Sequence, residues 1–471
     1  MGQAGLVIAS NRGPLSFALG DDGRPVPSGS AGGLAAALYP LVEDSGATWV
    51  SCAMSEADRA AAAAGLTDEL DVPLVTVQPD EATYRMAYDV ISNSTLWNCH
   101  HHLFDLARRP LLDHRFDEAF DAFRSFNAQF AEAIDAVAAE GAEVLVQDYH
   151  LCLLPGLLRQ RRPDLGIVHF THTPFAEAGM WRVLPTPIGR ELLEGMAAAA
   201  ACGFHAPRWE AAFLACCAEA GVEPRHTFVS PLGVAPGPLA RRVASAPCQA
   251  AAARLDEIVA GRRLVVRTDR VEPSKNLLRG FWAFDELLRH RRDLRGSVVM
   301  VAHAYPSRQG LPEYLAYGTE VERAAERVNE TWGTAGWTPV VLDIVDDMTW
   351  SLAALTRYDV LLVNPLRDGL NLVAKEGPLV NANDGVLALS REAGAFEELQ
   401  TEAVEVNPFD VSGTAIALAD ALDMPSAERK RRAQALRALV TRRPAGSWLE
   451  DQLGAIGGAT RSTSRPEAAG A

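Results

Sequence analysis

Three stretches bring cations, glycines and helix starts close enough together to hold a phosphorylated ligand. In RTDRVEPSKN, 267–276, Arg270 and Lys275 lie five residues apart at the end of a β-rich run, across a proline-containing loop and before a helical pattern. Two cations at a strand C-terminus can neutralise a diphosphate, although two solvated surface charges would give the same spacing. In LRDGLNLVAKEG, 366–377, a turn follows the strand pattern DVLLVNP and opens a helical one. The backbone N–H groups from Leu370 through Asn371 to Leu372 then suit a phosphate, beside Gly369 in the turn. Asp368, outside the helix, projects toward the strand end. Glu376 follows Leu372 by one turn, where a carboxylate can accept two hydrogen bonds from a ribose diol. Taken alone, Asp368 reads equally as a helix N-cap and Glu376 as a surface charge. The third stretch is SNRGP, 10–14, followed by SGSAGGLAAAL, 28–38: an arginine loop, then a Gly-Gly pair opening a helix. That arrangement suits a phosphate or is simply a turn and a cap.

Two further polar residues stand at strand ends, Asp148 in VQDYHL and His172 in HFTHTPF. Open α/β sheets place their ligands at such positions, but a lone strand histidine is more often a hydrogen-bonded core residue. The triplet His100, His101 and His102 lacks the carboxylate or cysteine pattern of a metal site and reads as a helix surface. Two halves with strand-end polar groups, joined by a cation pair and a helix start for a diphosphate, describe a nucleotide-sugar enzyme working in an interdomain cleft.

The elements that must position these residues follow from periodicity. Short β-rich runs at 6–10, 143–150, 166–172, 262–270, 297–304, 339–345, 359–365 and 385–390 alternate with helical patterns such as 276–291, 312–332 and 415–422. That alternation predicts parallel sheets built from βαβ units. The 471 residues are too many for one ordinary core. A Pro-, Gly- and Ala-rich break at 230–250 divides them into an N-terminal Rossmann-like domain, 1–235, and a C-terminal one, 236–453, whose last helix is expected to pack back on the first domain. The Gly-, Ser- and Ala-rich tail, 454–471, is expected to be disordered, and the alanine runs at 60–64 and 197–201 read as helical filler.

With 60 acidic against 44 basic residues the net charge is −16, which excludes a general affinity for nucleic acid, so an anionic ligand needs a local basic cluster. The seven cysteines show no C-x-x-C pair and are expected to be reduced thiols in a cytoplasm. Neither a leader segment nor a membrane span is predicted, so no membrane partner is expected.

In order along the chain, SNRGP, AGGLAAAL, YDVISNSTLW, VQDYHLCLLPGLLR, HTPF, GFHAPRWEAAFL, DRVEPSKN, AYPSR and LRDGLNLVAKE resemble the motifs of the trehalose-6-phosphate synthases. These are retaining glycosyltransferases of family 20 with the GT-B fold, an α/β architecture of two Rossmann-like parallel-sheet domains facing an interdomain cleft. The resemblance runs from about 6 to 453. It implies transfer of glucose from a nucleoside diphosphate glucose to glucose 6-phosphate, with retention and with no metal or cofactor. It assigns Gly33, Arg270 and Lys275, with the amides of Asn371 and Leu372, to the diphosphate, and Glu376 to the ribose. It places Asp368, Gly369 and His172 around the transferring glucose and Leu370 in the donor site. Arg12 and Arg308 are assigned to the acceptor 6-phosphate, Tyr88 and Trp97 to shaping that pocket, and Asp148 to sugar hydroxyls.

The chain departs from the pattern in three places. TWVSCAM keeps Trp49 but has Cys52 where a second tryptophan is common, Ala176 follows HTPF, and Leu370 stands for methionine. The first departure bears on acceptor identity. The ASNRGP opening and the Ala- and Arg-rich usage resemble the actinobacterial members that prefer GDP-glucose, with UDP-glucose the other candidate. The same resemblance leaves open a glucosylglycerol-phosphate synthase, a cyclitol-coupling pseudo-glycosyltransferase and a catalytically silent sugar-phosphate sensor. It also implies a homo-oligomer, dimer or tetramer, and a separate trehalose-6-phosphate phosphatase acting downstream.

Overall fold

The structure is a computed structural model that describes residues 3–30, 38–43, 45–68, 70–308 and 310–462, with the side chains of 29, 30 and 458–462 outside the description. In chain order the strands are β1 (Ala4–Ala9), β2 (Leu15–Leu19), β3 (Pro25–Ser30), β4 (Thr48–Cys52), β5 (Leu74–Val77), β6 (Ala138–Gln147), β7 (Gly166–Thr171), β8 (Ala201–Phe204), β9 (Thr227–Val229), β10 (Arg263–Arg270), β11 (Val298–Tyr305), β12 (Val340–Ile344), β13 (Val360–Val363), β14 (Val386–Ser390) and β15 (Val404–Val406). Two compact units result. One comprises Met1–Leu232 with Gly446–Ala471, the other Gly233–Ala445. The division falls close to the expected boundary, but residues 446–453 go with the first unit.

The first unit holds a parallel sheet in the order β5-β4-β1-β6-β7-β8-β9, with β2 and β3 forming a separate antiparallel pair. The second holds a parallel sheet in the order β12-β11-β10-β13-β14-β15. Strands such as β11 and β14 are apolar runs buried almost throughout, as strands covered by helices on both faces must be. In the first unit the helix His114–Val137 buries Phe116, Phe120, Phe123, Phe126 and Phe130 against the sheet. Phenylalanines three and four residues apart share one helix face, so this stripe explains why a helix forms and where it lies.

Strand order reverses between β1 and β6 in the first sheet and between β10 and β13 in the second. At such a switch point neighbouring crossovers run to opposite faces, which opens a crevice beyond the strand C-termini. Arg12 follows β1 and Asp148 follows β6, while Arg270 and Lys275 lie at and beyond the end of β10 and Asp368 follows β13. These five residues therefore flank the two switch points, while His172 follows β7 and Arg308 follows β11.

Several expectations are corrected. The tail begins later than 454, because a helix runs Ser447–Ser462. Its Trp448 ring meets Phe170 edge-on at 5.0 Å, and Ile456 fills the space over Gly166 of β7. Residues 197–201 are not one helix: the helix Thr186–Ala197 ends and β8 starts at Ala201. The histidine triplet is no surface, since His100 and His101 are buried, and His100 Nδ1 accepts from the Ala176 amide at 3.1 Å.

Candidate active site

In the first unit the loop after β1 is fixed by its own polar groups. Trp49 Nε1 donates to Ser10 Oγ (2.8 Å), Ser10 Oγ donates to the Arg12 carbonyl (2.7 Å), and the Cys52 amide donates to the Asn11 carbonyl (3.0 Å). The Arg12 side chain is exposed and makes no hydrogen bond or ion pair among the described residues. A rigid loop thus presents an uncommitted guanidinium, which suits an anion supplied from outside. Beside it lies a cavity of 220 Å³ whose lining includes Ser16, Ser51, Cys52, Thr67 and Thr76. Burial pushes the Cys52 thiol up to about 12, with Asp58 adding to the effect, so it stays protonated at neutral pH.

The segment carrying Tyr88 and Trp97 is π-helical over Met86–Leu96, with Ser92 Oγ and Thr95 Oγ1 donating five residues back to the Ala87 and Val90 carbonyls. Widened turns of this kind are rare and gather at functional sites. Tyr88 stacks between Tyr84 (5.1 Å, 10°) and His150 (5.7 Å, 15°), and Trp97 stacks on His101 at 3.8 Å. Both rings are held by packing before any ligand arrives.

Asp148 adopts φ 72°, a left-handed backbone that a non-glycine residue takes only where its surroundings enforce it. Its Oδ1 accepts from the His172 amide at 3.1 Å. The His172 ring belongs to a hydrogen-bonded chain whose direction can be read from one end. The Leu232 amide can only donate, so His205 Nδ1 accepts from it (3.3 Å) and His205 Nε2–H donates to His172 Nδ1 (3.0 Å). His172 Nε2–H then donates to Gln147 Oε1 (2.8 Å), Gln147 Nε2 to Gln452 Oε1 (3.3 Å), and Gln452 Nε2 to the Trp448 carbonyl (3.4 Å). Burial, then the neighbouring His205 and His169, hold His172 well below the ordinary histidine pKa. Both ring nitrogens are engaged, and the lowered pKa favours the neutral ring. His205, Gln147 and Gln452 were not singled out from the sequence. Gln147 stands next to Asp148 in VQDYH, but Gln452 lies 305 residues from its partner and gives no local signal.

In the second unit the two segments quoted first are tied into one cradle. The Leu366 amide donates to the Ser274 carbonyl (2.8 Å), Asn276 Nδ2 to the Asn364 carbonyl (3.0 Å), and Lys275 Nζ pairs with Asp368 Oδ2. Asp368 is not the helix cap. Leu372 holds that place, and one residue earlier Asn371, at φ 79°, turns its side chain onto the first turn: its Oδ1 accepts from the Ala374 amide (3.1 Å) and its Nδ2 donates to Asp368 Oδ2 (3.1 Å). The helix is Val373–Val380, so Asn371 and Leu372 precede it, and neither backbone amide donates to a protein acceptor among the described residues. Two open amides at a helix start, beside an ammonium, form a ready anion site. Gly394 has no room for a Cβ against the Gly369 carbonyl, which fixes how closely the Asp368–Gly369 turn packs on its neighbour.

Arg270 and Arg308 both meet Glu272, each at 3.3 Å, and Ser307 Oγ donates to the same carboxylate at 2.6 Å. Glu272 is fully buried. Burial raises its pKa, but Arg270, Arg308 and Lys275 together outweigh that and hold it at about 2. This carboxylate, between Arg270 and Lys275 in RVEPSK, was missed in the sequence although its position between two cations was the available signal. Arg308 also donates to Tyr314 Oη at 2.7 Å, so the structure groups it with Arg270, whereas Arg12 belongs to the other unit. Glu376 is half-buried and makes no hydrogen bond or ion pair among the described residues. Burial raises its pKa, opposed by Arg242. Its neighbour Lys375 is spent on the fold, paired with Glu398 at 2.7 Å. Gly33 lies outside the described residues.

Two doubly wound parallel-sheet units, with a cation and amide cradle at the switch point of one, are the GT-B fold, the architecture of the solved structures that this chain resembles. The trehalose-phosphate synthase (UDP-forming) of Burkholderia xenovorans in complex with glucose-6-phosphate superposes with a TM-score of 0.84 at 27% identity, covering 96% of this chain and 99% of that one. The family model of glycosyltransferase family 20 matches residues 5–457, and the chain belongs to that family. A trehalose-6-phosphate synthase of Mycolicibacterium smegmatis is 32% identical over 485 residues, covering 97% of this chain and 93% of its own. The chain spans 51% of the bifunctional trehalose-6-phosphate synthase/phosphatase of Thermoproteus tenax, to which it is 34% identical. It spans 61% of the UDP-forming synthase A of Dictyostelium discoideum. Among the described residues no helix is long and apolar enough to cross a membrane.

Proposed function

We propose that this chain is an α,α-trehalose-phosphate synthase, transferring glucose from a nucleoside diphosphate glucose to glucose 6-phosphate with retention at the donor carbon. The observation that carries the reading is the cradle of Arg270, Lys275 and the open amides of Asn371 and Leu372, built at a switch point. The leaving group is a diphosphate. Cations and N–H groups already aimed at its developing charge stabilise the transition state without reorganising, so the reading calls for no metal. Glu376, half-buried and uncommitted, is the ribose ligand, and Asp368, pinned by Lys275 and Asn371, faces the glucose. On the acceptor side Arg12 takes the 6-phosphate, with Tyr88, Trp97 and Asp148 shaping the sugar site. No protein base is needed, because the departing phosphate oxygen can take the acceptor proton. The neutral, fully bonded His172 fits that mechanism better than one with a histidine base.

GDP-glucose is the donor favoured by the ASNRGP opening, while the relatives whose names state a donor product are UDP-forming. Incubation with GDP-, UDP- and ADP-glucose in turn, with glucose 6-phosphate and detection of released nucleotide, tests both levels. Release with one of these donors and formation of a non-reducing disaccharide phosphate are expected. Silence with every donor would sink the enzyme reading.

A further inference from the structure

Beneath the cradle lies a buried cation that the catalytic reading does not use. Arg267 and Asp269 stand two apart on β10, so their side chains leave the same face of the strand. Both are buried, at 1% and 5% side-chain exposure. Arg267 Nε and Nη2 donate to Asp269 Oδ2 at 3.1 and 2.8 Å. The rest of the guanidinium faces the turn: Nη2 donates to the Lys275 carbonyl (3.0 Å) and Nη1 to the Leu277 carbonyl (3.4 Å). Gly280 is the residue that makes room, since a Cβ there would collide with Nη1. Other bonds complete the turn. The Lys275 amide donates to the Glu272 carbonyl (3.0 Å), Asn276 takes φ 60°, and the Leu277 amide donates to Tyr317 Oη (2.9 Å).

We infer that Arg267 is a positioning residue for the diphosphate site, its guanidinium fork holding the Lys275 backbone so that the ammonium meets the donor's phosphates in one place. The inference rests on the assignment of Lys275 to the diphosphate. The chemistry favours arginine: a planar fork can serve a carboxylate and two carbonyls at once, which a lysine ammonium on its flexible stem cannot do in the same geometry. Asp269 keeps the buried cation compensated. A lysine whose backbone shifts by a fraction of an ångström loses the preorganisation that makes a charge useful in transfer.

The test compares binding of the nucleoside diphosphate and the nucleoside monophosphate of the same base, by calorimetry, in wild type, Arg267→Lys, the charge-free pair Arg267→Met with Asp269→Asn, and Gly280→Ala. In the charge-free pair the diphosphate is expected to bind about tenfold more weakly, the worth of one charge-assisted hydrogen bond, while the monophosphate changes by less than about twofold. Donor kcat/KM should fall in parallel with the acceptor KM unchanged, and Arg267→Lys should recover part of the loss. Gly280→Ala keeps every charge and displaces only the fork, so it should show the same selective loss and supplies the test if the charge-free pair does not fold. Equal weakening of both nucleotides, or an unchanged ratio in folded Gly280→Ala, overturns the inference. A wild type that binds the two nucleotides equally overturns instead the assignment of Lys275 to the diphosphate, which separates the two failures.

Discussion

The two switch points are built in opposite electrical styles. At the first, His172, His205, Gln147 and Gln452 satisfy one another through neutral hydrogen bonds, and the one uncommitted charge singled out there is Arg12. At the second, Arg270, Arg308 and Lys275 crowd around Glu272 and Asp368, so position is enforced by ion pairs. A sugar hydroxyl needs oriented dipoles at modest cost, whereas a diphosphate leaving group needs fixed positive charge in a site of low dielectric. Each style matches the ligand proposed for it, and each should fail differently.

The largest effect is expected from Lys275→Ala. It removes a charge-assisted contact and leaves Asp368 without its ammonium, so steady-state kinetics should show donor kcat/KM falling roughly a hundredfold. Gln452→Leu, which interrupts the neutral chain, should leave the donor KM unchanged and lower the urea midpoint instead. Equal kinetic losses in the two variants would erase the contrast.

Next comes Glu272, held at about 2 from an ordinary 4.5. A folded pKa below the unfolded one means the ionised carboxylate stabilises the fold, on the order of 3 kcal/mol at neutral pH. That contribution is present above about pH 4.5 and is lost as the pH falls toward 2. Urea unfolding followed from pH 5 to pH 3 should show wild type losing more stability than Glu272→Gln over the same interval.

Glu376 runs the other way. Burial raises its pKa, so the ionised form opposes folding at neutral pH and stability recovers as the pH falls through the folded value. Glu376→Gln should therefore raise the melting temperature of the unliganded protein while weakening the donor. A variant that lost both stability and donor affinity would place Glu376 with the structural ion pairs.

The smallest effect concerns His172. With its pKa far below the ordinary value, kcat should not titrate with a histidine between pH 6 and 8. Gln147→Glu would set a carboxylate against Nε2, raise that pKa and introduce a pH-dependent step in stability. A histidine-like inflection in wild type, absent from His172→Gln, would show that the neutral chain is misread.

Legibility followed burial pattern. Strands β10, β11, β13 and β14 read directly because sheets covered on both faces leave continuous apolar runs, and the helix Pro312–Trp332 read to its ends from its period. β9 and β15 are three residues each and β8 follows an alanine run, so local pattern did not separate them from helix or loop. The π-helical turn gives no signal in a period near 3.6. Arg270, Lys275, Asp368 and Glu376 were legible because strand-end position and residue type coincide in short stretches. Glu272, His205 and Gln452 were not, because their roles depend on partners brought up by the fold.

Residue order alone settles the alternation of strand and helix, the division into two parallel-sheet units and the charged segments at strand ends, since each depends on neighbours within a few residues. The packed fold is what gives Asn371 rather than Asp368 the first-turn amide of the helix, sets Arg308 beside Arg270 on Glu272, and closes both ring nitrogens of His172 in hydrogen bonds. Those outcomes turn on competition among donors, acceptors and charges from distant segments inside a low-dielectric interior, and local spacing carries no record of which partner wins.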